Sequence, residues 1–203
     1  MQKLIFLQLL LFPLTINSIF AQNKPSKHQF EVQASGIYQF PTITNTGSPN
    51  NTYGGFDAAY GYGLHLNYTC RIYNHLHFQA QFGASEQGRT DHEGKKWEHY
   101  LLNAGIGLRY KFNVFQLYTM LIRQNYIGGN DPLIKFIDNS LPLIINKSEI
   151  GFNPGILATI TPHFSIGASY TKMLTPYHRA PLGRDDFKVF RQNIALSLYY
   201  SFK

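Results

Sequence analysis

Asn193-Ile194-Ala195-Leu196-Ser197-Leu198-Tyr199-Tyr200-Ser201-Phe202 carries the chain almost to its end with a period of two. Ile194, Leu196, Leu198, Tyr200 and Phe202 share one parity. Asn193, Ala195, Ser197, Tyr199 and Ser201 share the other. A period of two is that of a β-strand, so the stretch predicts a strand with one apolar face and one small or polar face. The opposite end of the chain says where that strand is found. Met1-Gln2-Lys3 is a short positive start, Leu4 to Phe12 is an apolar run, and Ser18-Ile19-Phe20-Ala21 precedes Gln22 as a cleavage site. This is the pattern of a secretory signal peptide, too short and wrongly flanked for a spanning helix. The expected division is a signal over 1–21, cleaved near Ala21, and one mature domain over 22–203.

An exported chain that ends in a two-faced strand points to a β-barrel in the bacterial outer membrane. Composition agrees. Aromatic residues make up 15% of the chain and charged residues only 14%, a balance suited to aromatic girdles at two membrane interfaces. The rival fold for such a chain is a secreted β-sandwich. The formal net charge is +7, one unit less once Lys3 leaves with the signal. Export argues against nucleic acid as the partner of that charge and favours anionic lipid headgroups. Cys70 is the single cysteine, so no disulfide forms within the chain. It shares the parity of Tyr68 and Ile72, which makes it a small lipid-facing residue rather than a reactive thiol.

The alternation recurs from Phe30 onward. Phe30, Val32, Ala34, Gly36, Tyr38 and Phe40 oppose Gln29, Glu31, Gln33, Ser35 and Gln39. Later segments repeat it around Phe56–Ile72, Leu76–Phe82, Tyr100–Phe112, Ile150–Ile160 and Phe164–Tyr170. The segment from Phe115 to Asn125 is apolar on both faces. A two-residue turn at Asn113-Val114 would put Phe115, Leu117 and Leu121 outside; a three-residue turn would put Tyr118, Met120 and Ile122 there. Eight strands result. Short turns at Tyr73-Asn74-His75, Asn113-Val114 and Thr161-Pro162-His163 alternate with long connections at 41–54, 86–96, 126–147 and 175–186. The expected fold is all-β: a transmembrane, eight-stranded, antiparallel up-and-down barrel with its short turns in the periplasm. Lipid offers no hydrogen bonds, so the first and last strands must pair.

The alternating strands Tyr60-Gly61-Tyr62-Gly63-Leu64-His65-Leu66-Asn67-Tyr68 and Ala104-Gly105-Ile106-Gly107-Leu108-Arg109-Tyr110-Lys111-Phe112, with the terminal Leu198-Tyr199-Tyr200-Ser201-Phe202-Lys203, carry a family resemblance. Over its whole mature length the chain resembles the small eight-stranded outer-membrane barrels, the OmpA-like transmembrane domains and OmpX-type proteins. The resemblance implies an outer-membrane protein without cofactors, surrounded by outer-membrane lipids and lipopolysaccharide and inserted by the barrel-assembly machinery. Here the aromatic Phe202 is penultimate rather than last. Barrels of this kind serve as structural proteins, adhesins, lipid-modifying enzymes and secretion accessories.

The inward parity collects Glu31, Arg71, His77 and Arg109 near the periplasmic rim, an expected ion-pair cluster in a lumen just wide enough for side chains. A second layer is expected from Asp57, His99 and Arg191. His75 and His77 form an H-x-H pair, but a metal site needs at least three placed ligands. His163-Phe164-Ser165 resembles the His-x-Ser segment of lipid A deacylases. The Asn-Ala that follows the serine there is Ile166-Gly167 here, and the segment falls at a periplasmic turn. No catalytic, cofactor or metal residue is therefore assigned. The third long loop is unusually apolar, with Leu133, Ile134, Phe136 and Ile137 as a candidate surface-interaction site for a protein or ligand. The expected protein is a monomer with a structural or surface-binding role.

Overall fold

The computed structural model describes residues 27–45, 59–90, 96–130, 144–145, 147–179 and 187–202. The signal segment 1–21, Asp57 and the loop residues Leu133, Ile134, Phe136 and Ile137 lie outside them. Ten strands follow in order: β1 His28–Asn45, β2 Ala59–Tyr73, β3 Leu76–Thr90, β4 Lys96–Phe112, β5 Phe115–Asn130, β6 Ile144–Ile145, β7 Ser148–Thr159, β8 Phe164–Met173, β9 His178–Arg179 and β10 Phe187–Phe202. Eight of them are long. Each pairs antiparallel with the next in sequence, β5 passing directly to β7 and β8 to β10. β10 then closes on β1 in one unbroken register, from Phe30 opposite Phe202 to Asn45 opposite Phe187. Closure removes the row of unpaired N–H and C=O groups that a sheet edge would expose to hydrocarbon.

Faces follow parity. Tyr60, Leu66, Phe82, Ile106, Leu121, Phe152, Ile166 and Leu196 are exposed apolar residues on the outer wall. Aromatic rings gather at both ends of that wall. Near the short turns Phe30 lies 5.2 Å from Tyr68, Phe112 lies 6.0 Å from Phe115, and Phe164 lies 5.1 Å from Tyr200. At the other end Tyr38 lies 5.2 Å from Tyr60. Phe30 and Tyr38 are eight residues apart on β1, which on a tilted strand is a height of about 20 Å, close to a barrel's apolar band.

The fifth long strand resolves to the two-residue turn. Phe112 pairs with Phe115, and Asn113 holds the left-handed turn conformation at φ 52°. Leu117 and Leu121 face outward, while Tyr118, Met120 and Ile122 are buried in the lumen. Several strands outrun the apolar band. β1, β3 and β5 continue to Asn45, Thr90 and Asn130, and β4 begins at Lys96, inside segments that the hydropathy pattern reads as loops. Backbone pairing needs only a neighbouring strand, not an apolar side chain, so the ladder extends above the membrane. There the short β9 pairs with β10 where β8 has ended, and β6 pairs with β9.

Candidate functional site

The parity that turns apolar residues outward turns polar ones into the lumen. At the periplasmic end Glu31 on β1 and Arg109 on β4 meet across the barrel, Oε2 to Nη1 2.8 Å, both fully buried. Arg109 also donates from Nε to Gln79 Oε1 at 3.0 Å, and Ser201 Oγ donates to Glu31 Oε1 at 3.2 Å. An isolated buried charge would cost several kcal/mol, so the pair and its hydrogen bonds make each member tolerable to the other. Above it Gln79, Asn67, Gln33 and Gln81 form an amide ladder, with Asn67 Nδ2 donating to Gln33 Oε1 at 3.1 Å and Gln81 Nε2 to the same oxygen at 2.7 Å. The ladder ends on Ser197, 3.1 Å from Gln33 Nε2.

Of the four residues that sequence parity groups at this rim, the structure joins Glu31 and Arg109 directly. Arg71 is exposed, directly opposite His77, which is half-buried and in turn opposite Arg109. Lys111, which sequence reading left out, reaches in to donate to Gln29 Oε1 at 2.8 Å. Its odd number on β4 was the available signal.

The lumen also holds an apolar cluster. Tyr118, Met120, Ile122, Leu157, Met173 and Tyr199 form one buried cluster contributed by β5, β7, β8 and β10. The two tyrosine hydroxyls lie 3.4 Å apart inside it. Gly155 makes this packing possible, because a Cβ there would fall 2.3 Å from Tyr118 Cζ. This cluster shares the lumen with the polar side chains.

Near the extracellular end Arg191 approaches Glu149, Nε to Oε1 3.2 Å, with both side chains buried. Arg191 Nη1 also donates to Gln87 Oε1 at 3.4 Å, and its guanidinium carbon sits 4.4 Å from the centre of the Tyr177 ring. Of the expected second layer, Arg191 is here, and His99 packs edge-on against Tyr126 at 5.5 Å. Glu149 was missed because the third loop was read to just before it. Outward Ile150 gives its inward parity.

His163 and Ser165 face different surroundings. His163 sits in the turn with Nδ1 3.1 Å from the Ser201 carbonyl oxygen, and its ring stacks on Tyr200. Ser165 is buried in the lumen and donates to Thr159 Oγ1 at 3.5 Å. His75 packs over Tyr110 at 5.9 Å. Among the described residues no three His, Cys, Asp or Glu side chains converge as a metal site.

The family described as the outer membrane protein beta-barrel domain matches residues 10–202. No curated protein matches the chain. Among solved structures the chain is similar to Ail, the attachment invasion locus protein of Yersinia pestis, solved with the heparin analogue sucrose octasulfate, at 16% identity and a TM-score of 0.43 over 86% of this chain and 99% of that one. It is similar to OprG of Pseudomonas aeruginosa at 13% identity and a TM-score of 0.46, covering 86% and 95%. It is similar to Neisserial surface protein A at 16% identity and a TM-score of 0.44, covering 84% and 96%. With a closed eight-stranded barrel, a lipid-facing outer wall and a family match over nearly its whole length, the chain belongs to the outer membrane protein β-barrel domain family and resides in the bacterial outer membrane.

Proposed function

We propose that this outer-membrane barrel is a non-enzymatic, monomeric protein with a structural or surface-binding role exercised through its long extracellular loops. The observation that carries the reading is the cross-lumen Glu31–Arg109 pair with its amide ladder, set against the apolar cluster around Tyr118. Side chains engaged with one another across a narrow barrel leave the loops as the surface offered to the outside. The rooting of the third loop also supports it: its distal end, Ile144–Ile145, joins β9 and through it β10. Lipopolysaccharide surrounds the barrel, the assembly machinery inserts it by way of β10, and the signal over 1–21 is removed to leave 22–203. A surface protein or ligand docks on the third loop.

Each apolar side chain of that loop gains about 1.5–3 kcal/mol on burial, enough for several to hold a partner. Replacing Leu133, Ile134, Phe136 and Ile137 with Ser is expected to leave insertion and heat-modifiable gel mobility intact. Crosslinked adducts formed on whole cells are expected to be lost. An adduct pattern identical to the parent's overturns the assignment to this loop.

A further inference from the structure

The extracellular end of the lumen holds more buried polar atoms than its own side chains satisfy. Among the described residues Gln39 Oε1, Gln124 Oε1, Glu149 Oε2 and Asn193 Oδ1 are buried acceptors without a hydrogen bond, and Gln87 Nε2 is a buried donor without one. All five residues are more than nine-tenths buried. They are also contiguous. Gln39 lies directly opposite Asn193, and Gln124 directly opposite Glu149. Arg191 stands two residues from Asn193 and reaches both Glu149 and Gln87.

Leaving one such group dry costs about 1–3 kcal/mol, so five in one layer is a deficit that a stable barrel does not carry without an occupant. The layer states the chemistry of that occupant. Four acceptors against one donor call for a ligand richer in donors than in acceptors. Glu149 and Arg191 neutralise each other, so the layer offers no net charge to hold a cation or an anion. The buried Tyr177 ring adds an apolar face under Arg191. We propose that this layer is a binding site for a neutral, multiply hydroxylated ligand, whose O–H groups donate to the four oxygens. A small polyol or sugar entering from outside supplies such O–H groups; a cluster of water molecules is the rival occupant.

The whole mature barrel in lipid nanodiscs distinguishes them. Glucose and myo-inositol are titrated while the side-chain amide signals of Gln39, Gln87, Gln124 and Asn193 are followed by NMR. The variants Asn193→Leu and Gln124→Met, close in shape but without the amide, are measured beside the parent for binding and for urea midpoint. Saturable shifts with either sugar, weakened about tenfold in each variant by loss of one hydrogen bond, support the site with a solute as its source. No sugar response, but magnetisation transfer from water to the four amides and a lowered midpoint in both variants, overturns the proposal, because water alone then satisfies the layer. No sugar response and no water contact, with a midpoint unchanged or raised in both variants, overturns the proposal: removing an amide that truly lacks a partner does not destabilise.

Discussion

Glu31 and Arg109 show how a single charge governs a narrow lumen. Each is buried, and each owes its tolerated charge to the other. Glu31→Ala leaves Arg109 with only neutral acceptors, Gln79 and Gln116. Breaking a buried pair in this way costs roughly 3–5 kcal/mol. The variant is expected to insert but to unfold at clearly lower urea; an equal midpoint would show that the pair does not hold the lumen. Gly155 sets a steric limit of the same kind. Gly155→Ala drives a methyl into the Tyr118 ring, and such overpacking costs typically about 1–3 kcal/mol. Adding Tyr118→Leu is expected to return most of the lost stability, because the colliding ring atoms are gone. A double variant no more stable than Gly155→Ala alone would place the strain elsewhere.

A strand here is judged on both faces at once, and β10 is the clearest case. Leu196 is 69% exposed on the outer wall, whereas Ser197 beside it is buried and hydrogen-bonded to Ser35, Oγ to Oγ 2.8 Å. Leu196→Arg places a charge against the lipid band, where a cation near the midplane costs roughly 2–4 kcal/mol. Folding titrations into lipid vesicles are expected to show that loss. A cost near zero would mean that Leu196 does not face hydrocarbon. β5 makes the complementary point. Both of its faces carry apolar residues because one meets lipid and the other meets Leu157, Met173 and Tyr199. Hydropathy cannot tell those two environments apart; the Asn113-Val114 turn does.

Closure is the property of the whole molecule on which the rest depends. Ser35 and Ser197 are directly opposed across the β1–β10 seam. Ser35→Cys with Ser197→Cys, in a Cys70→Ser background, is expected to form a disulfide upon mild oxidation of the inserted protein. Cross-strand neighbours bring their Cα atoms within the range such a bond requires. Denatured, non-reduced protein then migrates apart from its reduced form. Absence of that shift would mean an open seam, which a sheet in lipid cannot sustain.

The sequence by itself determined the alternation, the even strand count and the asymmetry of the connections, because a strand between lipid and lumen must repeat its two faces every second residue. The parity of Glu31 and Arg109 likewise put both in the lumen. That Arg109 reaches Glu31 while Arg71 stays exposed was left to tertiary structure, since strand tilt and register bring β1 and β4 together across the barrel. So was the pairing of Arg191 with Glu149, which joins residues 42 positions apart on strands that are not neighbours in the wall. The apolar cluster in the lumen was decided there too. Leu157 and Tyr199 carry the inward parity in sequence, but Tyr118, Met120 and Ile122 are open to either face, and the closed barrel brings them together with Met173.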